Sequence, residues 1–126
     1  MSAETPFQQL GGEAALRPLV ERFVERVFQD VMIGFLFRAA DRQRVAEKEY
    51  ELAARHLGAA VPYTGRPLDE AHAPHPISGG HFDRRRKILE EVLEEAGAPP
   101  AVREAWLRQV DALRGLIVRE ARRCVP

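Results

Sequence analysis

Cysteine is nearly missing from this sequence: Cys124 stands alone among 126 residues. An internal disulfide is thereby excluded, and the usage suits a reducing compartment. An excess of one charge is missing too. Nineteen Lys+Arg offset nineteen Asp+Glu, so no global field recruits nucleic acid or an acidic membrane. No apolar run approaches the ~20 residues of a membrane span, and no charged-then-apolar leader opens the chain. These absences predict a soluble cytoplasmic protein with neither nucleic acid nor membrane as partner. Repeats and low-complexity segments are absent, and the length predicts one domain over 1–126.

What is present is helical periodicity. After "LGGE", Leu16, Leu19, Val20, Phe23, Val24, Val27 and Phe28 form one amphipathic stripe. Pro18 sits near its start, where a missing N–H costs least, or else kinks the first turns. A short apolar corner, "MIGFLF" (32–37), follows. Asp41 is placed to cap a second helix that Gly58 ends after Leu57. A third helix is expected over Phe82–Ala96. A fourth is expected from Pro99 or Pro100 to near Arg123, with its stripe at Val102, Trp106, Val110, Leu113, Leu116 and Ile117. Between them, 59–81 carry four prolines and three glycines, leaving room for a turn or two of helix around Leu68–His72. A connection this long is usually functional. Nothing reads as a strand, so the fold class is all-α. "DRRRK" (83–87) answered by "EEVLEE" (90–95) reads as a salt-bridged helix surface.

Two charges fall on core-facing sides. In the second helix Val45, Ala46, Leu52, Ala53 and Leu57 share one side, and Glu49 and His56 lie inside it. In the third, Phe82, Ile88, Leu89, Val92 and Leu93 form the stripe, and Arg85 falls near its middle. Such charges are costly unless paired or wet. Either both side chains snorkel to solvent, or Glu49 and Arg85 share a polar pocket between the helices.

"DEAHAPHPISGGHFDRR" (69–85) holds His72, His75 and His81, three of the four histidines. A three-histidine zinc site needs every imidazole about 2.0–2.1 Å from the ion. Pro74 and Pro76 stiffen the chain against that convergence, and no His-x-x-x-His spacing supplies a rigid pair. A nucleophilic triad lacks an elbow at Ser78 and an orienter for any histidine. On composition alone, His72 is a surface residue of a proline-rich loop.

Taken together, "LGGEAALRPLVERFVERV", "MIGFLF", "HLGAAVPYTGRPLDEAHAPHPISGGHFD" and "EEAGAPPAVREAW" resemble a truncated haemoglobin, closest to group I, over essentially the whole chain. The resemblance implies a two-over-two helical sandwich holding one haem b per chain. His72 matches the proximal ligand, bound to iron through one ring nitrogen with the other oriented by an acceptor. His75 and His81 become bystanders. Phe37 matches the phenylalanine on the haem face, Gly11–Gly12 the glycine pair ahead of the first long helix, and Lys48 a basic position that meets a haem propionate. Val45, Leu52 and Phe82 complete the residues expected to line the cofactor.

On the ligand side this chain departs from the family pattern. The usual tyrosine after "ERF" is Val24, the common distal glutamine is Glu49, and a usually small apolar position on the third helix is Arg85. The two misplaced charges thus fall on positions lining the distal pocket. The implied function is binding of a small diatomic ligand, oxygen or nitric oxide, or redox and peroxide chemistry at the iron. A small anion is a further expected ligand and an unidentified reductase a partner; the chain is expected to be a monomer or weak homodimer. The competing reading is a haem-free globin-fold structural or interaction module.

Overall fold

A computed structural model describes residues 4–65 and 77–118. His72, His75, the turn expected at Leu68–His72 and the tail beyond Val118, with Cys124, lie outside them. The described elements are α1 (Pro6–Leu10), α2 (Glu13–Gln29), a 3-10 turn (Gly34–Phe37), α3 (Arg42–His56), α4 (Gly79–Glu95) and α5 (Pro100–Ile117). Among the described residues there is no strand.

Helix α1 escapes the periodicity because its five residues are too few to repeat a stripe. Its start is set locally: the Thr5 hydroxyl accepts from the Gln8 N–H at 3.2 Å, and the Thr5 N–H donates to Gln8 Oε1 at 2.9 Å. Gly11 and Gly12, at φ 120° and 70°, then turn the chain into α2, in a backbone region that L side chains avoid.

Helix α2 buries Leu16, Leu19, Val20, Phe23, Val24 and Val27, as its periodicity predicts, against both α3 and α4. Pro18 lies inside it and is exposed. Helices α4 and α5 pack together, and α5 also meets α3. Two helix pairs, α2/α3 and α4/α5, therefore stack as a two-over-two sandwich. Trp106, 1% exposed, anchors α5 in the shared core with Val102 and Val110. Burial of each such side chain is worth about 1.5–3 kcal/mol. Leu116 departs from the expected stripe and is 45% exposed, because it sits off the 102-106-110-113-117 row.

Two other boundaries differ from expectation. Helix α4 begins at Gly79 rather than Phe82, because Ser78 and His81 close a reciprocal cap. The Ser78 hydroxyl accepts from the His81 N–H, and His81 Nδ1 from the Ser78 N–H, each at 3.1 Å. Helix α5 gives way to extended backbone at Val118 (φ −73°, ψ 132°), short of Arg123.

The charges of "DRRRK" mostly bridge helices rather than lace one surface. Arg86 does pair with Glu90 one turn on, but also with Asp111 at 2.7 Å; Arg114 reaches Asp83 at 2.6 Å. Arg26 and Arg22 of α2 reach Glu91 and Glu95. Consecutive arginines radiate about 100° apart on a helix, so each meets a different neighbour.

The corner after α2 is fixed by Asp30, whose side chain is 6% exposed. It accepts from the Met32 and Ile33 N–H groups at 3.0 and 3.2 Å, and from Arg84 at 2.7 and 3.0 Å. Gly34 completes the corner: a Cβ there would lie 2.6 Å from the Phe28 carbonyl oxygen. The Arg84 hydrogen bond holds the Asp30 carboxyl below its usual range, against the opposing effect of burial. The stabilisation is thus present above the usual carboxylate range and is lost as pH falls through the depressed value. Asp30→Asn should cost about 1.5–3 kcal/mol near neutral pH, measured by urea unfolding. The difference from wild type should shrink on acidification; a pH-independent difference would put the effect elsewhere.

Candidate functional site

The buried side of α3 is rotated from the one the sequence suggests. Tyr50, Glu51, Ala53, Ala54 and Leu57 are buried, whereas Val45, Glu49, Leu52 and His56 form a half-buried strip beside them. Residues 45, 49, 52 and 56 repeat at helical spacing, so the strip is a continuous second face. Apolar side chains on it carry one carboxylate and one imidazole in their midst.

The carboxylate is paired. Arg85 Nη2 of α4 donates to Glu49 Oε2 at 2.7 Å, with side-chain exposures of 27% and 14%. The guanidinium also lies over the Phe23 ring, 4.9 Å from its centroid, a stacking that favours a cation. Glu49 and Arg85, singled out separately on two helices, thus meet, and the snorkelling alternative does not hold. Phe23, which the sequence places only in the core stripe of α2, is the further member of this site, next to Val24 in the chain.

His56 lies two turns beyond Glu49 on the same face. Burial pushes its imidazole below the usual range, against the pull of Glu49. Its Nε2 is buried without a hydrogen-bond partner among the described residues. Tyr63 also feels Glu49: burial first, then Glu49 and Glu51, pushes its phenol up.

Lys48 is engaged by the chain itself. Its ammonium donates to the Thr64 hydroxyl and lies 3.8 Å from Glu51 Oε2. Glu51 accepts from the Thr64 N–H at 2.8 Å and from its hydroxyl at 2.9 Å. Burial alone would raise the Glu51 carboxyl; the Thr64 donors and Lys48 outweigh it and hold it below its usual range. This cluster ties Thr64 to α3 eight residues before His72 in sequence.

Of the remaining expected residues, Phe37 is half-buried and stacks at 5.0 Å on Phe28. Phe82 is buried in the core at 3% exposure, with the Arg114 guanidinium over its ring. Val24 is buried and borders a groove of about 620 Å³ between α2 and α3, rimmed by Arg17–Glu47 and Arg42–Glu25 pairs. His81 is occupied by its cap and has the Phe35 ring edge-on at 5.6 Å. Among the described residues no three His, Cys, Asp or Glu side chains gather to hold a metal ion. None of the described helices is long and apolar enough to cross a membrane.

The bacterial-like globin family model matches residues 5–119. The group 1 truncated haemoglobin GlbN of Synechocystis sp. is 34% identical over 117 residues, covering 88% of this chain and 90% of that protein. Among solved structures, the haemoglobin of Chloroflexus aurantiacus is 30% identical with a TM-score of 0.80, covering 93% of this chain and all of that one. The truncated haemoglobin of Tetrahymena pyriformis, solved in an Fe(III) form, superposes with a TM-score of 0.85 at 25% identity, over 93% of this chain and 100% of that one.

The Glu49–Arg85 contact yields a stability test that needs no ligand. Glu49→Leu, Arg85→Leu and the double variant should show a coupling energy of about 1–3 kcal/mol in thermal or urea unfolding, well above the ~0.5 kcal/mol of sites that do not touch. Additive losses would mean that the contact contributes nothing in solution.

Proposed function

The chain belongs to the bacterial-like globin family, among the group 1 truncated haemoglobins, and on that premise we propose that it holds one haem b through His72. Haem binding and the binding of a small ligand at its iron are the functions of the family, and nothing favours a haem-free module. The observation that carries the finer reading is the half-buried strip of α3. Val45 and Leu52 offer an apolar surface, and His56 Nε2 lies there unpartnered. Phe37, half-buried at the corner, and Phe82, buried in the core, are assigned to the cofactor by the family pattern. The half-buried apolar strip of α3 suits one face of a flat apolar macrocycle.

When bound, haem supplies an iron centre for a small ligand and a redox couple; the residues here set what surrounds it. His72 offers an imidazole nitrogen, and its tautomer is fixed by whatever accepts from the other nitrogen. Lys48, held by Thr64 and Glu51, keeps a positive charge at the edge of the strip, where a propionate would meet it. On the distal side Val24 brings no hydroxyl, and Arg85 brings a permanent cation balanced by Glu49. Oxygen, nitric oxide and small anions are the ligand candidates. A reductase partner, a monomeric or weakly dimeric state, one domain over 1–126 and a cytoplasmic setting complete the reading.

His72→Ala should lose most of its haem, seen as loss of the Soret band during purification, while His75→Ala should retain it. His81→Ala should retain it too, at the cost of its helix cap, about 0.5–2 kcal/mol. Equal haem loss in all three would remove His72 from its assigned role.

Val24→Tyr adds a hydroxyl on the side where this chain lacks one. Oxygen dissociation from the reduced protein should slow by about fivefold to tenfold, a hydrogen bond being worth roughly 1 kcal/mol. An unchanged or faster rate in stopped-flow measurement would show that the hydroxyl does not reach the ligand.

A further inference from the structure

We propose that Thr64 is a positioning residue for the haem: with Glu51 behind it, its hydroxyl holds the Lys48 ammonium ordered in advance for a propionate. This deepens the haem reading and rests on it.

Glu51 is a carboxylate on the core-facing side of α3, 8% exposed. Burial of that kind is costly unless donors compensate. Thr64 supplies two: its N–H reaches Oε1 at 2.8 Å, and its hydroxyl lies 2.9 Å from both oxygens. The N–H bond is a matter of folding, since a backbone donor outside a helix needs an acceptor. The hydroxyl bond is not required for that. A hydroxyl has one proton and two lone pairs. With the proton turned to Glu51, a lone pair is left over, and the Lys48 ammonium donates to it. Lysine can only donate and the carboxylate can only accept, so the relay runs one way, from cation through hydroxyl to anion.

What the relay gives Lys48 is order. A free lysine side chain loses much rotamer freedom when a ligand captures it. Lys48 and Glu51 stand about one turn apart on α3, with 3.8 Å between Nζ and Oε2 and the lysine side chain 24% exposed. Direct attraction across that gap is modest; the Thr64 hydroxyl is the closer contact. An ammonium has three N–H donors, so one can stay on Thr64 while another meets a second carboxylate. A propionate at the edge of the strip then captures a donor that is already in place. Simple repulsion gives the opposite expectation, because a carboxylate beside Lys48 disfavours another. The two accounts differ in sign.

The test measures transfer of haem from the ferric protein to excess apomyoglobin, followed in the Soret band. Thr64→Val keeps the shape of the side chain and removes the hydroxyl. Haem should then leave about threefold to tenfold faster, the range for ordering one long side chain. Thr64→Ser, which keeps the hydroxyl, should restore most of the difference. Lys48→Met should also speed the loss, and Thr64→Val should add little in that background. Glu51→Leu should speed it as well, where repulsion alone predicts slowing. The deciding measurement changes the cofactor instead of the chain. With haem dimethyl ester, whose esterified propionates bear no charge, Thr64→Val and wild type should lose the cofactor at equal rates. A general structural role for Thr64 would persist with the ester. Equal rates for wild type and Thr64→Val with ordinary haem, or an effect that survives esterification, overturns the proposal and leaves the haem reading intact. A wild-type chain that takes up no haem overturns both.

Discussion

The apolar face of α2 is the constraint on which the rest of the molecule depends. One helix of seventeen residues must serve two partners, α3 on one side and α4 on the other. Leu16, Val20, Phe23, Val24 and Val27 are therefore buried almost completely, and the face is wider than a two-helix seam requires. The two pairs of the sandwich stack because this helix belongs to both contacts. In a chain of this size no second core exists to compensate for a fault in it.

The polar contacts follow from that arrangement. Where α2 gives way to the 3-10 turn, Asp30 satisfies two backbone donors and receives Arg84 from α4, so the corner is fastened to the opposite layer. Along the far edge Arg22 and Arg26 meet Glu95 and Glu91. Phe23 takes part in both the core and the site: it is 1% exposed, yet the Arg85 guanidinium lies over its ring. A side chain packed that tightly gives the cation a rigid platform, whereas an exposed aromatic would cost rotamer entropy to hold.

Much of this was legible in the residues. The stripes of α2 and α4 and the Asp41 and Gly58 boundaries of α3 follow from spacing and capping chemistry. So did the meeting of Glu49 with Arg85, because charges inside an apolar stripe need partners and each helix offered one. What spacing could not show was which of two adjacent faces of α3 enters the core. Val45 and Leu52 read as core by hydropathy, but beside the expected Ala53 it is Tyr50, Glu51 and Ala54 that α3 buries. An amphipathic pattern reports that a face is apolar and does not say what covers it. The Ser78–His81 cap was hidden by the glycines that follow Ser78, and the cross-helix arginines by their resemblance to an intrahelical ladder. Phe23 was overlooked for a related reason: a core residue beneath a cation looks in sequence like any other core residue.

Stability alone does not account for an ion pair on the half-buried face of α3. Apolar side chains of similar volume at 49 and 85 would pack against Phe23 and Leu52 without desolvating two charges, and such replacements are often neutral or stabilising. The pair also lies away from the helix ends, so it neither caps a terminus nor offsets a macrodipole. By contrast Asp30–Arg84 and Glu51–Thr64 each satisfy backbone N–H groups as well as side chains, and their placement follows from folding. Glu49–Arg85 satisfies no backbone group among the described residues. What it provides is a carboxylate and a guanidinium held together beside an apolar surface. As a pair the two are neutral.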